Sequence, residues 1–163
     1  MPRCFYFPNL ARMSSAPIPV INPAGQGSVL RAFGEEVTIL LDAKQTGGQF
    51  TLVTTITPPG GGPPPHFHEN EDELLHVLEG RVSFLVDGKW TETTPGATVF
   101  APRKSVHTFK NVGDRPSKLL VQITPSGFEK FFAAAAVEFA KPGGPDVGRA
   151  AMIAAEHGIK FVT

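Results

Sequence analysis

The stretch Gly60-Gly-Gly-Pro-Pro-Pro-His66-Phe-His68-Glu-Asn-Glu-Asp-Glu73-Leu-Leu-His-Val-Leu-Glu-Gly80 decides how this chain is read. Residues two apart on a strand share a face, so His66 and His68 project the same way. Neutral imidazoles held together on a rigid element are ready metal ligands. Glu73 lies five residues past His68, and this odd offset rejoins their face only across a bend or bulge. The polar run Glu69-Asn70-Glu71-Asp72 can supply that bend. On local grounds Glu69, Glu71 and Asp72 compete with Glu73 for the carboxylate position. A second block runs from Gly96 through Pro102 to His107 and Asn111. There His107 opens a strand and brings a third imidazole from elsewhere in the chain. Three histidines and one carboxylate suit a first-row divalent ion with open positions, such as iron, nickel, copper, manganese or zinc. The net charge near +1 would attract an anionic oxygen.

Outward from this stretch, Val29 to Ile123 reads as short strands. Glu36 to Leu41, Gln49 to Thr57, Leu75 to Val86, Lys89 to Thr93, Thr98 to Ala101, His107 to Asn111 and Lys118 to Ile123 are rich in β-branched and aromatic residues. Asp87-Gly88 offers the paired positive φ of a type I′ hairpin. Seven or more such strands predict a sandwich or barrel. Gly and Pro supply 17 and 16 residues, enough to punctuate that many turns.

After Pro125 the period becomes helical. Ser126 and Glu129 fit a capping box. Phe128, Phe131, Phe132, Ala135 and Phe139 make one apolar face. That face is expected to pack on the outside of the barrel rather than line a cofactor site. A second short helix is predicted from Asp146 as N-cap to Gly158. Residues 1–24, broken by Pro2, Pro8, Pro17, Pro19 and Pro23, read as a flexible arm, with Met13 a candidate start. The expected organisation is an arm over 1–24, a barrel over 25–124 and a helical tail over 125–163 packed on it.

At 163 residues and 17.4 kDa the chain suits one domain. Fifteen basic and fifteen acidic residues cancel, which argues against a nucleic-acid or anionic-membrane surface. The single cysteine, Cys4, excludes an intramolecular disulfide and a cysteine-based zinc site. No apolar run reaches the ~20 residues of a membrane helix, and the N-terminus lacks a signal-peptide pattern. A cytoplasmic protein is expected.

The two blocks resemble the motifs of the cupins. The first, G-x5-H-x-H-x(3,4)-E-x6-G, is satisfied by Gly60, His66, His68, Glu73 and Gly80. The second, G-x5-P-x-G-x2-H-x3-N, matches at Gly96, Pro102, His107 and Asn111, with Lys104 in place of its glycine. The resemblance implies an all-β fold, a single cupin β-barrel (double-stranded β-helix, or jelly roll) with a helical C-terminal tail. It implies His66, His68, Glu73 and His107 as ligands of one divalent transition metal, with Glu73 doubling as a catalytic base. Phe109, inward beside His107, is a candidate wall of the substrate pocket. His76 should face the other way, and Arg103 and Lys104 lie where an acidic substrate would arrive.

The tail is similar to that of quercetinase-like cupins, which implies a metal-dependent dioxygenase acting on a small aromatic or enolic, flavonoid-like substrate. This fold hosts many chemistries, so a non-catalytic metal or small-molecule sensor and a Lewis-acid isomerase or lyase stand beside it. Small cupins commonly pair, so a homodimer is expected, the arm adding a strand to its neighbour.

Overall fold

The computed structural model describes residues 18–162; the greater part of the expected arm, with Cys4 and Met13, lies outside them. Eleven strands are described among these residues. β1 (Ser28–Ala32), β2 (Glu35–Leu41), β3 (Thr51–Thr57), β10 (Ser117–Thr124), β5 (Asp72–Glu79) and β8 (Thr98–Ala101) form one antiparallel sheet in that order. β11 (Ile159–Phe161), β4 (His66–His68), β9 (His107–Asn111), β6 (Val82–Val86) and β7 (Lys89–Thr93) form the other. Between them lies a core of Val37, Val53, Leu75, Val77, Val82, Phe84, Leu119, Val121 and Ile123. Alternation along each strand sends these side chains inward.

The turn at Asp87-Gly88 has φ of 50° and 74°, as the hairpin reading required. The expected long strand from Leu75 to Val86 is instead two strands in different sheets, divided at Gly80, whose φ is 88°. Gly62 fixes the approach to β4. A Cβ there would stand 2.0 Å from the Phe109 carbonyl oxygen, so only glycine lets this loop lie against β9.

Three helices accompany the strands: α1 (Ala43–Thr46), α2 (Glu129–Phe139) and α3 (Val147–Glu156). Asp146 caps α3 through Arg149 N–H, and Gly158 follows it at φ 77°, both as expected. The capping box at Ser126 does not form. α2 begins after Phe128 without a side-chain cap. The Glu129 carboxylate is drawn elsewhere, accepting from the Thr51 hydroxyl and from the Ala43 and Gly127 amides. It therefore ties α2 to β3 and α1.

Lys104 takes the left-handed conformation of the motif glycine it replaces, with φ 68°. Its amide donates to the His68 carbonyl at 2.7 Å, which holds the turn against the strand. A residue bearing a Cβ pays about 1 kcal/mol or more in that region. K104G is expected to raise stability by about 1 kcal/mol, partly offset by the freer unfolded glycine. A shift of the urea midpoint to higher concentration checks this; a lower midpoint would assign the side chain a stabilising contact.

Candidate metal centre

His66 and His107 face each other as a cross-strand pair between β4 and β9. His68 lies two residues along the same face. Glu73 arrives from the opposite sheet, on β5 between Ile123 of β10 and Ala101 of β8. The offset of five is spanned by residues 69–71 crossing from one sheet to the other. The bend expected there is thus a change of sheet, not a bulge. β4 itself is held from both sides: Ile159 and Phe161 of β11 pair with His68 and His66. The Glu69 amide donates to Gly158, and Val162 donates to Pro65.

The four side chains converge. Donor atoms of His66, His68, Glu73 and His107 lie within 4.8 Å of one another. Two donors held ~2.1 Å from one ion stand about 3.4 Å apart in a tetrahedral shell, so loading draws the widest-spaced donors together by about an ångström or more. His107 Nε2 is 3.1 Å from Glu73 Oε2, and His68 Nε2 is 3.7 Å from Oε1. The remaining nitrogens of two rings are committed: Nδ1–H of His66 donates to the Pro64 carbonyl at 2.8 Å, and that of His107 to Ser105 at 2.9 Å. For His66 this bond fixes the tautomer that leaves Nε2 bare; His107, bonded at both nitrogens, shares its Nε2 proton with Glu73, and an ion would take that proton's place. Both nitrogens of His68 are buried without a hydrogen-bond partner among the described residues. Leaving such atoms bare is costly, and an ion at the centre would satisfy the nitrogen beside Glu73, Nε2. The donor set therefore fits a divalent metal.

The family profile described as Cupin domain matches residues 53–123, which contain all four residues. Over 123 residues the sequence is 28% identical to the quercetin 2,3-dioxygenase of Bacillus subtilis (strain 168), covering 76% of this chain and 36% of that protein. Residues 53–123 of this chain form a cupin domain. It spans little more than a third of that dioxygenase's length. Among solved structures, KdgF from Halomonas sp. superposes with a TM-score of 0.62 at 17% identity, covering 69% of this chain and 99% of its own. The polyketide cyclase RemF from Streptomyces resistomycificus gives 0.55 at 26% identity, covering 67% and 80%.

The cluster opens into a cavity of ≈ 80 Å³ between the two sheets. Phe109 lines it, as its parity with His107 required. Phe128, Phe131 and Phe132 of the tail line it too, contrary to the expectation that they pack on the barrel's outside. The Phe128 ring centre is 4.9 Å from that of His68. Helical periodicity shows which residues share a face but not where the face points.

Electrostatics follow from this packing. Burial alone would push Glu73 up, but the His107 hydrogen bond and three nearby imidazoles outweigh it and hold the carboxyl at about 2. Burial pushes His66 down to about 4, so its ring is neutral at neutral pH. For His107 burial lowers the value, yet the Glu73 hydrogen bond and charge leave it raised.

The other carboxylates separate by contact. Asp72 accepts from the Arg103 guanidinium and amide, which holds its carboxyl down at about 2. Arg103 is thereby occupied by a neighbour. Glu71 Oε2 is buried 3.7 Å from His68 Nδ1, close to the ring but outside hydrogen-bond range. His76 points away from the cluster and meets the Thr98 hydroxyl at 2.8 Å. Asn111 is buried and ties the Thr57 and Arg115 carbonyls to the Gly113 amide, a structural role.

One group was not expected. Glu35 on β2 lines the cavity and accepts from the Thr57 hydroxyl at 2.6 Å. Burial pushes its carboxyl up to about 7, against that hydrogen bond and with a smaller contribution from the Glu73 charge. Its signal lay in parity, because Glu35 shares the inward face of Val37 and Ile39.

Proposed function

We propose that this cupin is a metal-dependent dioxygenase acting on a small aromatic or enolic substrate of flavonoid type. The observation that carries the reading is the three-imidazole, one-carboxylate cluster at the wall of an aromatic cavity. The similarity to a quercetin dioxygenase over most of the chain supports it. His66, His68, Glu73 and His107 would hold one divalent ion. When bound, that ion supplies Lewis acidity toward a substrate oxygen and access to one-electron chemistry with O₂.

The chain's own residues do the rest. Phe109, Phe128 and Phe132 line the cavity with aromatic surface that would favour a flat apolar ligand and exclude water from the cluster. Glu73, ionised and aimed at the cavity, is placed to accept the proton of a substrate hydroxyl. His66 and His107, each anchored to a backbone carbonyl, keep the cluster in place while that proton moves. A dioxygenase inserts both atoms of O₂, so the reaction needs no outside reductant.

Protein purified without added ions should carry one transition metal per chain and consume oxygen in proportion to quercetin lost. E73Q should keep part of the metal yet lose at least ~100-fold in turnover, the usual worth of a positioned base. Full activity in E73Q removes the base. Zinc with no oxygen uptake points to an isomerase or lyase, and tight binding without product points to a sensor.

A further inference from the structure

Away from the cluster the cavity carries two polar groups that the proposed chemistry does not use. On the first sheet Glu73 sits in an inward row with Ile123 and Thr51. Two rows further along, Val77, Leu119, Thr55 and Val37 lie side by side. The next row brings Ser117 beside Thr57, and the Thr57 hydroxyl meets Glu35. Thr55 and Glu35 therefore line the part of the cavity away from Glu73.

Thr55 is 4% exposed, and its hydroxyl has no hydrogen-bond partner among the described residues. A buried hydroxyl left bare costs about 1–3 kcal/mol, so the position is unfavourable unless something else fills it. Valine has the same shape without that cost. Glu35 is also only half used: Thr57 donates to Oε1, which leaves Oε2 for another partner. With its carboxyl pushed up to about 7, the residue can offer either a proton or a lone pair at neutral pH. Around both, the walls are apolar, so a ligand atom there has few other polar partners.

We propose that Thr55 and Glu35 form a second anchor, which binds a hydroxyl of the ligand at the end remote from the imidazole cluster. The ligand class is then an aromatic bearing hydroxyls at both ends, one for the cluster and one for the anchor. This rests on the reading of the cavity as a ligand site, and it narrows that reading to polyhydroxylated compounds. A site built to hydrogen-bond a hydroxyl discriminates strongly against an analogue lacking it, because its own polar groups are then stranded.

The test is calorimetric binding to the metal-loaded protein with two probe pairs. One pair is a naphthalenediol with hydroxyls on opposite rings against the corresponding naphthol; the other is quercetin against 3-hydroxyflavone. Wild type should prefer the more hydroxylated member of each pair about tenfold or more. T55V and E35M should each bring the ratio towards unity, and T55S should restore it. Unchanged metal content and a cooperative melt identify variants that fold. Equal affinity within both pairs, failure of the more hydroxylated member of either pair to bind wild type, or a preference that survives T55V and E35M combined overturns the anchor. Oxygen uptake reports on the chemistry separately: no uptake with the preference intact rejects the dioxygenase and supports the anchor.

Discussion

H66A is expected to bind its metal more than ~100-fold more weakly than wild type. Changes one shell out from a metal, which only orient a ligand, already cost 10–100-fold; removing a donor atom costs more. The nitrogen lost is also a well-prepared one. Burial keeps His66 neutral down to about pH 4, so protons do not compete for it at pH 7. Its Nδ1–H is already bonded to Pro64, so no tautomer change precedes binding. The loss can be read without any substrate. At a free metal concentration 1,000 times its dissociation constant, wild type gains about 4 kcal/mol of stability. A variant 100-fold weaker gains about 1.4 kcal/mol under the same conditions. Thermal melts with and without added metal, alongside elemental analysis, make the comparison. H107A should behave alike, because His107 is the cross-strand partner of His66. A chain that keeps a full equivalent of metal after losing either ring would place the ion elsewhere.

What the sequence revealed and what it hid divide along one physical line. His66 and His68 share a face because strand geometry is local, and Asp87-Gly88 and Asp146 announce a hairpin and a helix start for equally local reasons. Glu73 could not be separated from Glu69, Glu71 and Asp72 by spacing, since the choice depends on where residues 69–71 cross between sheets. Asp72 is turned to Arg103, and Glu71 to the far nitrogen of His68. β11 has no signature in the sequence. Three residues, Ile159 to Phe161, carry too little pattern to separate from a helix end, yet they brace the strand bearing two of the histidines. Periodicity puts Phe128 on the apolar face of the tail but does not say that the face turns inward, because its position against His68 is a tertiary contact. Thr55 and Glu35 were legible in parity, each inward with Val53 or Val37. Only the three-dimensional packing shows that the space before them is a cavity rather than filled core.

The half-buried Glu35 carboxyl should make this protein lose stability as pH rises from 4.5 to 7. Burial raises its value from 4.5 to about 7 in the folded chain. Below pH 4.5 the group is protonated in both states and adds no pH dependence. Between 4.5 and 7 the unfolded chain releases the proton first, so unfolding is progressively favoured. Above 7 the full penalty applies, about 3 kcal/mol at 1.36 kcal/mol per pH unit. His66 works in the opposite sense over part of this window. Its value falls from 6.5 to about 4 on folding, so its neutral burial becomes easier as pH rises from 4 to 6.5. A single stability curve therefore mixes the two effects, and the difference between wild type and E35Q isolates one. Glutamine keeps an acceptor for the Thr57 hydroxyl and cannot ionise. In urea unfolding of the metal-free protein, E35Q should gain on wild type by about 3 kcal/mol between pH 4.5 and pH 8. Parallel curves would mean that Glu35 titrates normally, with its carboxylate reaching water through the cavity mouth.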